Sequence, residues 1–266
     1  MVSIRLGPAG SPAASTLEGI SRVKELGLQA MEVQFSHGIA MKNELAKRVG
    51  EEASKQEVSL SIHAPFYINL ASAEPDKIEA SKRRILDSCE RGHHMGATHV
   101  VFHAAFYGKL SPKRVHEMVR DGVQEMQSML DERGWKVMLA PETTGKVSQW
   151  GTLDETLRLV EETGCSFCVD FAHLYARARG HIDYKEVLNK IQSAGHKRIH
   201  AHFSNINYGL KGEINHLVLD GKPPFEPLAK ELLDRKMDAT IISESPITWK
   251  DSLKMREIFE KLGHKF

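Results

Sequence analysis

The sequence predicts an α/β fold, a (β/α)8 barrel, and three observations carry the prediction. Eight short apolar runs alternate with eight longer amphipathic stretches. Glycine, serine and proline fall at the junctions between them. The chain is 266 residues long, the size of one such barrel. Strands that alternate with helices pair in parallel through right-handed crossovers. Eight such units at this length close on themselves rather than spread into an open sheet. Residues 1–266 are expected to form one barrel domain, because no linker or low-complexity tract interrupts them.

In chain order, the apolar run 3–6 leads to a helix at 16–26 that stops before Gly27. The run 30–34 precedes a helix at 41–55, and 60–63 precedes one at 75–95, closed by Gly96. Residues 99–103 lead to 112–133, opened by Ser111-Pro112 and closed by Gly134. The run 137–140 precedes 153–163, closed by Gly164, and 166–170 precedes 184–194. The last pairs are 199–203 with 225–236 and 239–244 with 252–262, the final helix starting at Ser252. Serine caps free amides at a helix start, proline fits the first turn, and glycine takes the left-handed turn at the stop. The longest irregular piece, 204–224, is expected to be a functional loop.

Composition narrows the function. At 41% hydrophobic the chain can bury a core, which excludes wholesale disorder. Lys and Arg number 36 against 35 Asp and Glu, a net charge of +1, so the surface as a whole is not a polycation. Histidine stands out, with 14 beside 3 cysteines, a composition for imidazole and carboxylate chemistry. Cys165 and Cys168 have CxxC spacing but sit in an apolar run, which reads as a buried strand in a reducing compartment. With no signal-peptide pattern and no stretch near the roughly 18 apolar residues of a membrane span, a soluble, cytoplasmic protein is expected.

The loops after the strands form the active face of a barrel. His63, His103, Glu142, Asp170, His202 and Glu244 stand at or just past six consecutive strand ends. Taken singly, each histidine would be a hydrogen-bonded rim residue, and Glu142 or Asp170 a helix cap. Six ligand-type residues on one rim are too many for one tetrahedral ion, and buried acids and imidazoles are unfavourable without a neutralising cation. A metal cluster is therefore expected. His173, three residues beyond Asp170 in a loop, and His216, in the long loop, add two further donors. His93, His94, His99, His116, His181, His196, His200 and His264 read as structural or solvated, and His37 can reach the rim.

Six motifs carry a resemblance: Ile62-His63-Ala64-Pro65-Phe66-Tyr67-Ile68-Asn69-Leu70, Val101-Phe102-His103, Pro141-Glu142-Thr143-Thr144-Gly145, Val169-Asp170-Phe171-Ala172-His173, His202-Phe203-Ser204-Asn205 and Ser243-Glu244-Ser245-Pro246. In this order the chain resembles the endonuclease IV family of zinc-dependent abasic-site endonucleases, which have a xylose isomerase-like TIM barrel. The resemblance implies cleavage of duplex DNA 5′ to an abasic site by a hydroxide generated at zinc, leaving a 3′-hydroxyl. It also implies a monomer with two or three zinc ions, donors that manganese can share, and no membrane partner. One ion would take His63, His103 and Glu142. Glu142 would bridge to a second held by Asp170, His202 and Glu244, and would orient the nucleophile as the catalytic residue. His173 and His216 would hold a third. The aspartate that the family places two residues before the last histidine is Ile214 here. Either Glu213 substitutes after a shift of the loop, or the third site is weak or empty.

For DNA, Phe66 and Tyr67 match the family's wedge-like aromatics, which unstack a base step. The loop after the second strand, residues 35–42, is short and mostly apolar, unlike the family's. Lys109, Lys146, Arg177, Arg179 and Lys211, with Lys113, Arg114 and Lys222, bias the active face towards positive charge. Two other readings share the barrel. A divalent-metal sugar isomerase or epimerase would use Glu142, Asp170, His202 and Glu244, but leaves the other histidines unexplained, because imidazoles favour zinc over magnesium. A non-catalytic binding protein leaves the whole donor set unexplained.

Overall fold

A computed structural model describes residues 2–266. Eight parallel strands line a closed barrel: β1 (Ile4–Pro8), β2 (Ala30–Gln34), β3 (Ser59–His63), β4 (His99–Phe102), β5 (Met138–Pro141), β6 (Cys168–Asp170), β7 (Arg198–Phe203) and β10 (Asp238–Ser243). Between β7 and β10 lie two further strands, β8 (Asn205–Gly209) and β9 (Gly212–Leu217). The barrel strands form two arcs, β1-β10-β7-β6 and β2-β3-β4-β5. Single bridges close the seams, Ala9 to Glu32 between the first two strands and Glu142 to Cys168 between β5 and β6.

The helices follow the expected order: α1 (Thr16–Glu25), α2 (Asn43–Gln56), α3 (Pro75–Met95), α4 (Pro112–Glu132), α5 (Leu153–Thr163), α6 (Phe171–Arg177), α7 (Tyr184–Ser193), α8 (Phe225–Asp234) and α9 (Thr248–Lys261). Ser111 caps α4 by accepting from the Arg114 amide, and Thr152 with Glu155 forms a reciprocal capping box on α5. The main core lies between barrel and helices, where Ile20, Val49, Ile85, Val119, Leu159, Leu188 and Phe259 are fully buried. Such burial contributes roughly 1.5–3 kcal/mol per large aliphatic side chain. No helix among the described residues is long and apolar enough to cross a membrane.

Three stretches depart from the sequence reading. The expected loop after Asp170 is the seven-residue helix α6, with the Asp170 side chain accepting from the His173 amide at 2.6 Å. Two turns are too few to show a helical period. The expected loop 204–224 contains the β8–β9 hairpin, whose Leu210 and Ile214 face solvent, so it lacks the half-buried alternation that marks a strand. The last helix starts at Thr248 rather than Ser252, without a side-chain cap.

The barrel interior is polar where aliphatic layers usually fill such a barrel. Glu32, Ser61, His200 and His202 are buried there, beside a small cluster of Val101, Ala140 and Cys168. The free cysteines are all buried, with the thiols of Cys89, Cys165 and Cys168 pushed up by burial, which keeps them protonated.

Candidate metal centre

The strand ends bring His63, His103, His173, Glu213, His216 and Glu244 to the wall of one cavity of about 620 Å3, while Glu142, Asp170 and His202 are fully buried and do not line it. Parallel register sets the convergence: His63 closes β3, Asp170 closes β6 opposite His202, and Ser243 places Glu244 one residue past Phe203. Glu142 lies at the middle, with no solvent exposure. Its Oε2 is 3.3 Å from His63 Nε2 and 2.9 Å from His103 Nε2. Its Oε1 is 3.0 Å from His202 Nδ1 and 3.3 Å from His173 Nδ1. His202 Nδ1 is also 3.4 Å from Glu244 Oε1, and His216 Nε2 is 3.9 Å from Glu244 Oε2.

The hydrogen bonds behind the imidazoles fix which nitrogen faces the cavity. His63 Nδ1 donates to the Ala64 carbonyl at 2.8 Å, so its Nε2 presents a lone pair. His173 Nδ1 donates to the Thr143 carbonyl at 3.0 Å, freeing Nε2. His216 Nδ1 pairs with the Ser204 hydroxyl at 2.7 Å. His202 reverses the pattern, with Nε2 against the Glu32 carboxylate at 3.0 Å and Nδ1 turned inward. Ligands of a metal are commonly held this way, one ring nitrogen anchored and the other aimed. Asp170 behaves alike: Oδ1 caps α6, while the buried Oδ2 has no hydrogen-bond partner.

Lone pairs then face carboxylate oxygens at several points, which is repulsive unless a proton or a metal ion stands between. The charge distribution says the same. Burial alone would raise Glu142, but the charges of His202 and His103 and hydrogen bonds from His103 and His173 hold it well below the usual carboxylate range. Burial would lower His63, but Glu142 overrides it and pushes the imidazole up to about 9. Burial raises Asp170 against the pull of His173. Three fully buried acids, Glu32, Glu142 and Asp170, call for positive charge among them. The donors, imidazole nitrogen with carboxylate oxygen, fit zinc and admit manganese.

Donor atoms within 4.8 Å of one another fall into overlapping sets. One is His63, His103 and Glu142, one is Glu142, Asp170, His173 and Glu244, and one is His173, His216 and Glu244. His202 falls with Glu32 and Glu244 rather than with Asp170. Glu213 Oε2 is 3.5 Å from His173 Nε2, while the exposed Ile214 lines the cavity wall. The hairpin approaches this closely through two glycines. A Cβ on Gly145 would meet the Glu213 side chain at 2.6 Å, and one on Gly212 would meet the Gly145 carbonyl at 2.1 Å.

On the rim, Phe66 and Tyr67 are 56% and 67% exposed, and Phe66 also lines the cavity. His37 is exposed, with its ring 6.0 Å from that of Phe66. Of the basic residues singled out, Lys146 lines the cavity, whereas Lys109, Arg179 and Lys211 lie exposed beyond its wall. Arg177 is held by the loops, donating to the carbonyls of Thr144 at 3.3 Å and Lys146 at 2.7 Å.

Comparison with known proteins agrees with this architecture. The profile of the xylose isomerase-like TIM barrel family matches residues 20–262. The chain belongs to that family. A Methanocaldococcus jannaschii protein of uncharacterized role is 35% identical across 98% of both chains. A probable endonuclease 4 of Mycobacterium leprae is 28% identical over 45% of this chain and 47% of its own length. The crystal structure of endonuclease IV from Thermus thermophilus superposes with a TM-score of 0.75 at 22% identity, covering 97% of this chain and 98% of that one. The resemblance to the endonuclease IV family seen in the motifs is borne out by these relatives.

Within this member of the xylose isomerase-like barrels, sequence reasoning missed Glu32. It is in the middle of β2, not at a strand end, and is fully buried against His200 and His202. Its signal was available, a carboxylate inside the apolar run Ala30-Met31-Glu32-Val33. His200, read as structural, is its second imidazole partner. Gln34, Gln149 and Asn215 place three further amides on the cavity wall.

Proposed function

We propose that this chain is a metal-dependent phosphodiesterase of DNA repair. In this reading it is an apurinic/apyrimidinic endonuclease of the deoxyribonuclease IV type, cutting duplex DNA 5′ to an abasic site and leaving a 3′-hydroxyl. The supporting observation is the imidazole-rich donor set around Glu142, in which His63, His173, His202 and His216 each have one nitrogen anchored. A carboxylate-rich sugar isomerase site does not need those histidines.

His63, His103 and Glu142 would hold one zinc ion, and Glu142, Asp170, His202 and Glu244 a second. His173, His216 and Glu213 would hold a third. Bound zinc supplies Lewis acidity and a water acidified to near neutral pKa. Glu142 links the two halves of the donor set and, being fully buried, holds its carboxylate fixed among the imidazoles beneath the cavity. Asp170 and Glu244 add negative charge on the far side, so the site balances cations rather than attracting phosphate unaided. Phe66 and Tyr67 present exposed rings at the mouth, suited to stacking in the gap left by a missing base. Lys146 on the wall offers a cation to a backbone phosphate. The protein would act as a monomeric, cytoplasmic, single-barrel enzyme.

The test is a nicking assay on a duplex with one abasic site, before and after chelation and zinc restoration. A chelator-sensitive nick on the 5′ side with a 3′-hydroxyl end supports the reading. Zinc-loaded protein that leaves the duplex intact overturns it. A single manganese or magnesium per chain with proton exchange beside a sugar carbonyl would replace it with the isomerase reading.

A further inference from the structure

Four donors meet at Glu32 deep in the barrel. Its Oε2 accepts from the Ser61 hydroxyl at 2.9 Å and from His200 Nε2 at 3.2 Å. Its Oε1 accepts from the Gln34 amide at 3.0 Å and lies 3.0 Å from His202 Nε2. The group behind it is also braced. His200 stacks on His99 with ring centroids 4.8 Å apart, and His99 Nε2 is 3.0 Å from the Ser166 hydroxyl. Glu32 is fully buried, and both of its carboxylate oxygens are taken up by these four donors.

The partners that anchor the other imidazoles are neutral: the Ala64 and Thr143 carbonyls and the Ser204 hydroxyl. His173 Nδ1 also lies 3.3 Å from Glu142 and 3.5 Å from Asp170, but both acids belong to the donor set, whereas His202 is backed by a carboxylate outside the expected ligands. An anion accepting the Nε2 proton fixes the tautomer with the lone pair on Nδ1 and raises the basicity of that nitrogen. Nδ1 is the atom that faces Glu142 and Glu244.

We propose that Glu32 is a positioning residue of this centre. It orients His202 through Nε2 and thereby sets how tightly His202 Nδ1 holds a divalent ion. It also holds the Gln34 amide at the cavity wall. This rests on the reading of the donor set as a zinc centre, and it assigns Glu32 to the Nε2 side of His202, away from the Nδ1 that faces Glu142 and Glu244.

The test uses zinc alone as the probe and does not depend on DNA cleavage. Metal-free wild type and Glu32→Gln are titrated with zinc against a chromophoric chelator, and the cobalt(II) absorption spectrum is recorded for each. Gln preserves shape and one acceptor but removes the charge. The affinity of one ion per chain should fall about 10- to 100-fold, the other ions should bind as before, and one cobalt band should shift. Circular dichroism and the melting profile of the metal-free protein report folding. Should Glu32→Gln fail to fold, Ser61→Ala takes one hydrogen bond from Oε2 and leaves the carboxylate, and should give a smaller loss in the same direction. Folded Glu32→Gln with unchanged affinities and spectrum overturns the role of Glu32 and leaves the zinc centre standing. Wild type that takes up no zinc overturns both.

Discussion

Glu213 and His216 are three residues apart on one strand, yet both reach the same imidazole. Glu213 Oε2 is 3.5 Å from His173 Nε2, and the rings of His216 and His173 lie 5.3 Å apart. Residues three apart on a regular strand point to opposite faces. The pairing of β8 with β9 explains the exception: Asn207 pairs with Asn215 and Tyr208 with Glu213, so Ile214 is an unpaired bulge. One extra residue restores the shared face. At this spacing the bulge lets an acid face His173 as an acid two residues away would on an unbroken strand. Glu213→Gln should lower zinc content by up to one ion per chain, as metal analysis after dialysis would measure. Unchanged content would mean that His173 and His216 hold their ion without this carboxylate.

Glu142 contacts four imidazoles at 2.9–3.3 Å. Glu142→Gln keeps the shape and removes the charge that the two halves share. Turnover on an abasic duplex should fall by at least two to three orders of magnitude, on the scale of losing a preorganised charged group. Affinity for the duplex should stay within a few-fold, because no rim residue changes. Steady-state cleavage and fluorescence anisotropy separate the two. Activity near wild type would remove Glu142 from the reaction.

The barrel was legible because each unit carries its own signal: an apolar run, a helical period and a stop such as Gly96 or Gly164. The strand-end donors were legible because a parallel barrel sends every strand end to one face. What escaped lacks that kind of signal. Glu32 acts from the barrel interior, where identity depends on which side chains meet across strands more than 160 residues apart in sequence. The Ile214 bulge escaped because a register shift belongs to a pair of strands, not to either one. The role of Arg177 escaped because sequence reports its charge and not the carbonyls that consume it.

Lys146 and Arg177 should therefore respond differently to neutralisation. Lys146 is exposed on the cavity wall, so Lys146→Met should leave stability within about 0.5 kcal/mol. It should weaken duplex binding and reduce the slope of log affinity against log salt by about 1. Arg177→Met removes a donor from the Thr144 and Lys146 carbonyls and should destabilise by about 1–3 kcal/mol. Chemical denaturation and binding at several salt concentrations test both. An unaltered salt slope in Lys146→Met would take this lysine out of the interface.

His99 gives a pH test that does not involve cleavage. It is partly buried, stacked on His200, and burial with the charge of His200 lowers its imidazole to about 3. In the unfolded chain the same group titrates near 6.5. Between those values the unfolded chain binds a proton that the native protein refuses, so acid favours unfolding. The sign is fixed: the native state is unpenalised above about pH 6.5 and loses stability as pH falls towards 3, by at most about 1.4 kcal/mol per unit. His99→Gln removes this contribution. The difference in unfolding free energy between wild type and variant should shift in favour of the variant from pH 7 to pH 5, by urea denaturation. Loss of zinc in acid affects both proteins and largely cancels in the difference. A difference independent of pH would show that the His99 imidazole accepts its proton in the folded barrel as readily as in the open chain.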